Sequence, residues 1–219
     1  MEKTKKHPII DRYGTANTAI ALICICVLII NSIFVNDCIL MQVSPNRPTA
    51  YILNFLAGCE GELGRIGSMS HTSVWREGQW WRLFTHIYLH AGMIHMAFNF
   101  LALLFAGKIV EKKIGSVPYI LLFHFIAVFD AVIVSMIFPD STSVGASAGI
   151  FGMIGVVCVF RAKKDDECKR LLTRGETIYL IVFALLSLIL GLESFVTHFA
   201  AFAFGILAGL ILQKRFLTN

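Results

Sequence analysis

Two side chains are suited by type and position to hydrolysis, a serine and a histidine that each stand near the start of a hydrophobic segment. They are Ser147, in a stretch rich in glycine and alanine, and His198. A serine becomes a nucleophile when a neighbouring histidine takes its hydroxyl proton. Each residue lies 16 positions, about 24 Å of helix, before a lysine, Lys163 or Lys214. The equal spacing predicts that hydroxyl and imidazole lie at one depth in a membrane and on the same side.

The surroundings of Ser147 fit two interpretations. Serine is common in membrane helices, where it bonds a carbonyl one turn back, and the nearby Gly145, Gly149 and Gly152 suit simple helix packing. The start of a helix also offers free backbone N–H groups and the positive end of the helix dipole. A nucleophile there gains an oxyanion site from its own N–H.

His198 is harder to explain by packing alone, because ionisable residues are rare inside membrane helices and usually functional. Ala201, Gly205 and Gly209 lie three, seven and eleven residues further on, so they share its helical face. Small residues at this spacing let another helix approach closely. We expect the glycine-rich segment around Ser147 to be that helix; the alternative is a buried histidine bonded to a carbonyl.

His95 and Asn99 are spaced to share one helical face, and both donate hydrogen bonds while neutral. Two such donors near the depth of the serine could hold a developing oxyanion. The alternative is an ordinary polar contact between helices. His86 and His90 also raise the question of a zinc site, but His86 has no adjacent Glu of the kind that zinc proteases use. We therefore expect no metal and no other cofactor.

The composition is that of an integral membrane protein. Of 219 residues, 57% are hydrophobic and only 15% are charged. The net charge of +5 does not indicate a nucleic-acid partner, because the lysines lie in short stretches between or beside the apolar segments. We expect the lipid bilayer, and no nucleic acid, as a partner.

The predicted fold class is an all-α polytopic bundle with six spans, each near the ~20 residues that cross a bilayer. The spans are 15–37, 94–110, 118–138, 146–161, 176–192 and 195–213. Fifteen of the 19 Lys and Arg residues lie on one side of these spans, which predicts that both termini are cytoplasmic. This gives a cytoplasmic segment 1–14, a membrane domain 15–213 and a tail 214–219, with no substantial soluble domain at either end.

The connection between spans 1 and 2, about 38–93, is the long outer loop of this arrangement. Its tryptophans predict an interfacial structure partly sunk among lipid headgroups, although an ordered outer loop with an aromatic belt explains them nearly as well. Cys38 and Cys59 are the two cysteines that could face an oxidising side and form a disulfide.

Several short motifs, in order along the chain, resemble those of the rhomboid family of intramembrane serine proteases. They are Trp81-Arg82, His95 with Asn99, Gly107 with Glu111 and Gly115, Gly145-Ala146-Ser147 with Gly152, and His198 with Ala201 and Gly205. Each motif alone is weak, but the ordered set from Trp81 to Gly209 is specific and the six-span topology agrees. Ala148 and Ala201 stand where the family usually or often has glycine, and each adds a methyl where helices pack.

The resemblance implies a catalytic dyad of Ser147 and His198 without a third carboxylate. His95, Asn99 and the Ser147 N–H would bind the oxyanion, and Phe151 could stack on His198. Substrates would be single-pass membrane proteins, reached laterally near spans 2 and 5 and cleaved near the outer face. The compact form implies a bacterial plasma membrane. Two alternatives remain. One is a catalytically inactive relative that binds membrane clients, and the other is a transporter or metal-handling membrane protein, for which Asp130 alone does not make a polar path.

Overall fold

The computed structural model describes residues 12–32, 67–162, 170–188 and 191–216, which are predominantly helical. Six helices of 15 residues or more run through these ranges, and we number them α1 to α6 in chain order. They are α1 (Thr15–Ile30), α2 (Met93–Ile114), α3 (Ser116–Ile137), α4 (Ser147–Ala162), α5 (Arg174–Leu188) and α6 (Leu192–Phe216).

Three of these helices are long and apolar enough to cross a membrane, namely α2, α3 and α6 up to Lys214. α1 and α4 are apolar but shorter, at 16 residues each. The protein is thus a helical integral membrane protein, while the six-span count stays a prediction. At about 1.5 Å per residue, α4 is about 24 Å long, less than the ~30 Å hydrocarbon core of a bilayer.

The start of α1 is joined to α2 by the Glu111 carboxylate. Its two oxygens accept hydrogen bonds from the backbone N–H groups of Ala16 and Asn17 at 2.9 and 2.8 Å. A side chain from α2 thus satisfies two of the N–H groups that the first turn of α1 leaves without a partner within the helix. Gly107 lies one turn before Glu111, where a Cβ atom would overlap the amide of Asn17. Gly115, with φ +85°, then ends α2. The Gly-Glu-Gly motif therefore builds a junction between helices and carries no hydrolytic group.

α4 lies at the centre of the bundle and is buried along most of its length. It contacts α2, α3 and α6. Its closest neighbour is α6: a Cβ atom on Gly205 would overlap the carbonyl oxygen of Gly152, and one on Gly155 would overlap that of Phe202. Glycine on both helices thus permits the backbone contact that the small-residue spacing predicts.

The described part of the connection before α2 is folded against α3. It contains a π-helical turn (Thr72–Arg76), a single α-helical turn (Arg82–Thr85) and a 3-10 turn (His86–Tyr88). Met69–Ser70 pairs antiparallel with Thr142–Ser143, the strand just before α4. This two-stranded sheet is an addition to the predicted all-α fold. It ties the outer connection to the segment that leads into Ser147.

The helix ends differ from the predicted spans by a few residues. α2 continues past residue 110 to Ile114, because the Glu111 carboxylate is bonded to the start of α1 and does not end the helix. α5 begins at Arg174, two residues before the predicted start, because Thr173 and Glu176 cap its first turn through bonds to each other's backbone N–H. The end of predicted span 1 and the Cys38–Cys59 pair lie outside the described residues.

Candidate active site

Ser147 is the first residue of α4. The chain reaches it through Gly145, whose φ of +114° favours glycine and whose N–H donates to the His86 carbonyl at 2.8 Å. The helix ladder starts with the Ile150 N–H, which donates to the Ala146 carbonyl at 3.0 Å. The N–H groups of the first turn, including that of Ser147, therefore have no partner within the helix. This end of α4 can stabilise negative charge beside the serine hydroxyl.

His198 lies on α6 with its ring directed at this serine. The distance between His198 Nε2 and Ser147 Oγ is 3.0 Å, which is within hydrogen-bonding range. His198 is buried and Ser147 is half-buried. Two residues 51 positions apart are thus brought together by the close packing of α4 on α6. The extra methyl groups of Ala148 and Ala201 are buried and are accommodated at this distance.

Phe151 lies one turn after Ser147 and stacks on the imidazole of His198. The ring centroids are 4.3 Å apart and the ring planes are inclined by 9°. The Phe151 ring also contacts the ring of Phe183 on α5, with centroids 5.5 Å apart. The stack fixes the plane of the imidazole and leaves its two nitrogens as the polar atoms that can exchange protons.

The second nitrogen of His198 has a partner that the sequence did not reveal. Nδ1 lies 3.2 Å from the hydroxyl oxygen of Ser194, one turn earlier on α6. That hydroxyl donates to the carbonyl of Ser187, at the end of α5, over 2.9 Å. The i, i+4 spacing of Ser194 and His198 was the available signal, but it also fits two unrelated polar residues on one helix.

His95 is placed at the turn before Ser147. A Cβ atom on Gly145 would lie 3.0 Å from Cε1 and 3.1 Å from Nε2 of His95, so glycine makes room for this imidazole. His95 is also near enough to His198 to interact with it electrostatically. The structure therefore brings His95, Ser147 and His198 into one site.

Asn99 is buried one turn further along α2, and its amide is engaged within its own helix. Nδ2 donates to the His95 carbonyl at 2.9 Å, while Oδ1 is buried without a hydrogen-bond partner among the described residues. In this conformation Asn99 supports the turn that carries His95. A role in holding an oxyanion requires its second N–H to face the serine.

His86 and His90 are two further buried histidines near the site. Burial lowers the pKa of His86 to about 4 and that of His90 to about 3. His86 Nδ1 bonds the Arg82 carbonyl at 2.9 Å, and the His90 ring packs edge-on to His95. Across the described residues there is no cluster of three or more His, Cys, Asp or Glu side chains that could hold a metal ion.

Two polar side chains of α3, His124 and Asp130, are not hydrogen-bonded to each other. His124 Nε2 lies 2.6 Å from the hydroxyl of Tyr88, and its Nδ1 lies 2.8 Å from the Ile120 carbonyl. Asp130 is buried, and its Oδ1 has no partner among the described residues. Their separation of six positions places the two side chains on different faces of α3.

A separate groove of about 430 Å³ lies between α3 and α6. Its lining is entirely apolar and includes neither Ser147 nor His198. The residues that line it offer no group for hydrolysis.

Comparison with known proteins gives a consistent result. A family model for the Rhomboid domain matches residues 77–215. Rhomboid protease GluP of Bacillus subtilis is 42% identical over 85 residues, which are 39% of this chain and 17% of that protein. RHOMBOID-like protein 4 of Arabidopsis thaliana is 30% identical over 156 residues, 70% of this chain and 39% of that protein. Rhomboid protease GlpG of Salmonella newport is 33% identical over 111 residues, 51% of this chain and 38% of that protein.

Each match spans less than half the length of the relative concerned. The region that the family model matches, residues 77–215, contains every residue of the site described above, from His86 to His198. The similarity therefore concerns the helical core and its polar centre.

Proposed function

The chain belongs to the rhomboid family, and from that premise we propose that it is an intramembrane serine endopeptidase that cleaves single-pass transmembrane proteins. The observation that carries the proposal is the 3.0 Å contact between Ser147 Oγ and His198 Nε2 at the start of α4. The names of GluP and GlpG as proteases support the same reaction class. Membership of the family is also compatible with a catalytically inactive protein that binds membrane clients. The experiment below distinguishes that protein from an active protease.

The contact suggests the following reaction. His198 Nε2 takes the Ser147 proton as Oγ bonds the scissile carbonyl carbon, and the carbonyl oxygen becomes an oxyanion. The protonated Nε2 then gives its proton to the amide nitrogen, the C–N bond breaks, and an ester remains on Ser147. Water, deprotonated by the same nitrogen, then attacks the ester carbon. Nε2 returns the proton to Ser147 Oγ as the C–Oγ bond breaks, which releases the new carboxyl end and restores the serine.

The oxyanion would be held by the Ser147 N–H together with His95, and by Asn99 if its free amide hydrogen turns toward the serine. Loss of one such donor typically costs ~10²-fold or more in rate. His95 is the side-chain donor that the geometry favours, because it lies against the turn at Gly145.

We further propose that substrates approach between α2 and α5 and are cut near the outer face of a bacterial plasma membrane, with both termini cytoplasmic. A substrate helix must unwind to expose a peptide bond, so small or helix-breaking residues at the cleavage site should favour reaction. The short α4 supports a site below the lipid surface, which water can reach from outside.

The test uses the full chain in liposomes with a single-pass reporter that carries a helix-destabilised outer segment. Ser147→Ala and His198→Ala are compared with the intact protein and with Ser141→Ala, a serine control outside the site. The proposal expects cleavage by the intact protein and the control, none by the two site variants, and no effect of a metal chelator. Cleavage that survives Ser147→Ala would refute the nucleophile, while client binding without cleavage by the intact protein would support the inactive relative.

A further inference from the structure

We propose that Ser194 is a positioning residue that fixes the tautomer of His198, so that the reacting pair is extended to a chain of Ser147, His198, Ser194 and the Ser187 carbonyl. The inference rests on the proposed protease function and deepens it. The resemblance implies a dyad without a third carboxylate. We infer that a neutral hydroxyl is the third partner.

The hydrogen bonds of the Ser194 hydroxyl show which nitrogen of His198 carries the proton. A hydroxyl has one hydrogen to donate and lone pairs to accept with. The Ser187 carbonyl can only accept, and it lies 2.9 Å from Ser194 Oγ, so the hydrogen is used there. With that hydrogen directed to Ser187, the 3.2 Å contact between Ser194 Oγ and His198 Nδ1 is a bond that Nδ1–H donates. The Ser187 carbonyl also accepts from His198, so the carbonyl and the Ser194 hydroxyl favour the same tautomer.

The position of that proton determines what the other nitrogen can do. A neutral imidazole carries one hydrogen, so Nε2 is bare when Nδ1 is protonated. A bare Nε2 at 3.0 Å from Ser147 Oγ accepts the serine proton, which is the direction that nucleophilic attack requires. With the opposite tautomer, Nε2–H would point at the serine and could not act as a base.

The same hydroxyl also assists after proton transfer. Once Nε2 is protonated the ring is cationic, and its Nδ1–H bond to Ser194 becomes a stronger, charge-assisted hydrogen bond. A carboxylate would do this more strongly, but a charge inside a membrane is costly to bury. A serine hydroxyl that is oriented by a carbonyl accepts the Nδ1–H bond in a fixed direction, and it carries no charge that must be buried.

Ser194 is held where this role needs it by the ends of two helices. It lies in the first turn of α6, one turn before His198, and its acceptor Ser187 belongs to the last turn of α5. Phe151 stacks on the face of the imidazole and sets its plane, while Ser194 contacts its edge. Plane and edge contacts together leave one orientation of the ring.

The test measures the tautomer directly and then its effect on rate. The ¹⁵N spectrum of histidine-labelled protein in detergent, with the His198 signal assigned by its loss in His198→Ala, should show Nδ1 protonated and Nε2 bare in the intact protein. In Ser194→Ala the signal should shift toward a mixture of tautomers. An Nε2-protonated ring in the intact protein would overturn the proposal, whatever the variants do.

Kinetics in liposomes supply the second readout. Ser194→Ala should lower kcat by roughly 10- to 100-fold with little change in KM, since a hydrogen bond to a charged group is lost. Ser194→Thr keeps the hydroxyl and should recover most of the rate. Thr197→Val is the matched control, because the Thr197 hydroxyl donates to the Glu193 carbonyl within the same helix. Its kcat should equal that of the intact protein.

The outcomes separate this proposal from the function on which it rests. Unchanged kcat and an unchanged tautomer in Ser194→Ala would refute the positioning role while the protease stands. A lower unfolding temperature with unchanged kcat per folded molecule would show a purely structural role and also refute it. A Ser194-dependent tautomer in an intact protein that cleaves nothing would refute the protease and leave the hydrogen-bond chain as a structural fact.

Discussion

The ring of Phe151 lies parallel to the imidazole of His198, 4.3 Å away between centroids. Phe151 comes from the helix that carries the nucleophile, and His198 from the helix packed against it. The stack therefore connects the geometry of the base to the packing of α4 on α6. Because it restrains a ring without occupying either nitrogen, it can be altered without removing a reacting group.

The first prediction concerns this stack. In Phe151→Leu the flat contact is lost and His198 samples more orientations. Aromatic pairs contribute about 0.5–1.5 kcal/mol, so kcat should fall by roughly 2- to 10-fold. Phe151→Tyr keeps the ring and should retain most of the activity. The measurement is kcat and KM on the liposome reporter, normalised to folded protein; an unchanged kcat in Phe151→Leu would contradict a positioning role for this ring.

The second prediction concerns the closest approach of α4 and α6. A Cβ atom on Gly205 would overlap the Gly152 carbonyl oxygen, which is backbone and cannot turn aside. Gly205→Ala should therefore separate the helices, reduce the free energy of unfolding by about 1–3 kcal/mol and abolish most cleavage. Thermal unfolding in detergent and reporter cleavage are the measurements.

Gly175→Ala is the matched control for that substitution. Gly175 is also a helical glycine, but it has open space around the position of a Cβ atom. Alanine there should be neutral or stabilise by about 0.5–1 kcal/mol through its better helix propensity. Equal behaviour of the two variants would show that the α4–α6 contact does not depend on the absence of a side chain at Gly205.

The contact between Ser147 and His198 could be predicted from two features of the sequence. One is the helical spacing of small residues after His198, and the other is the equal distance of each residue from a lysine. Helical spacing placed Ala201 and Gly205 on the face of His198, and that face does pack on α4. Equal distances to the nearest lysines indicated equal depth. Such patterns survive in one sequence because helix geometry repeats over many residues.

Other parts of the site depend on contacts between distant segments, which one sequence does not display. Nothing near Glu111 indicates that its carboxylate caps α1 through backbone N–H groups nearly a hundred residues away. The pairing of Met69 with Ser143 is too short to show an alternating pattern. The role inferred for Ser194 depends on where the Ser187 carbonyl of α5 lies relative to the first turn of α6.

The third prediction concerns an ion pair that joins α2 to α5, the two helices between which we propose that substrates pass. Lys108 Nζ lies 2.8 Å from Glu176 Oε1, and both side chains are less than a tenth exposed. The ammonium also lies 5.6 Å from the centroid of the Tyr13 ring. Removing one partner leaves a buried charge, so Lys108→Met or Glu176→Gln alone should cost about 3–5 kcal/mol of unfolding free energy.

The double variant tests whether the two charges act as a pair. Lys108→Met with Glu176→Gln leaves no buried charge, and the amide oxygen of the glutamine can still accept the Thr173 N–H that caps α5. Its loss of stability should therefore be smaller than the sum of the two single losses by about 0.5–3 kcal/mol. Lys112→Met, on an exposed position of the same helix, is the control and should change little. Additive losses in the double variant would show that the two residues stabilise α2 and α5 independently.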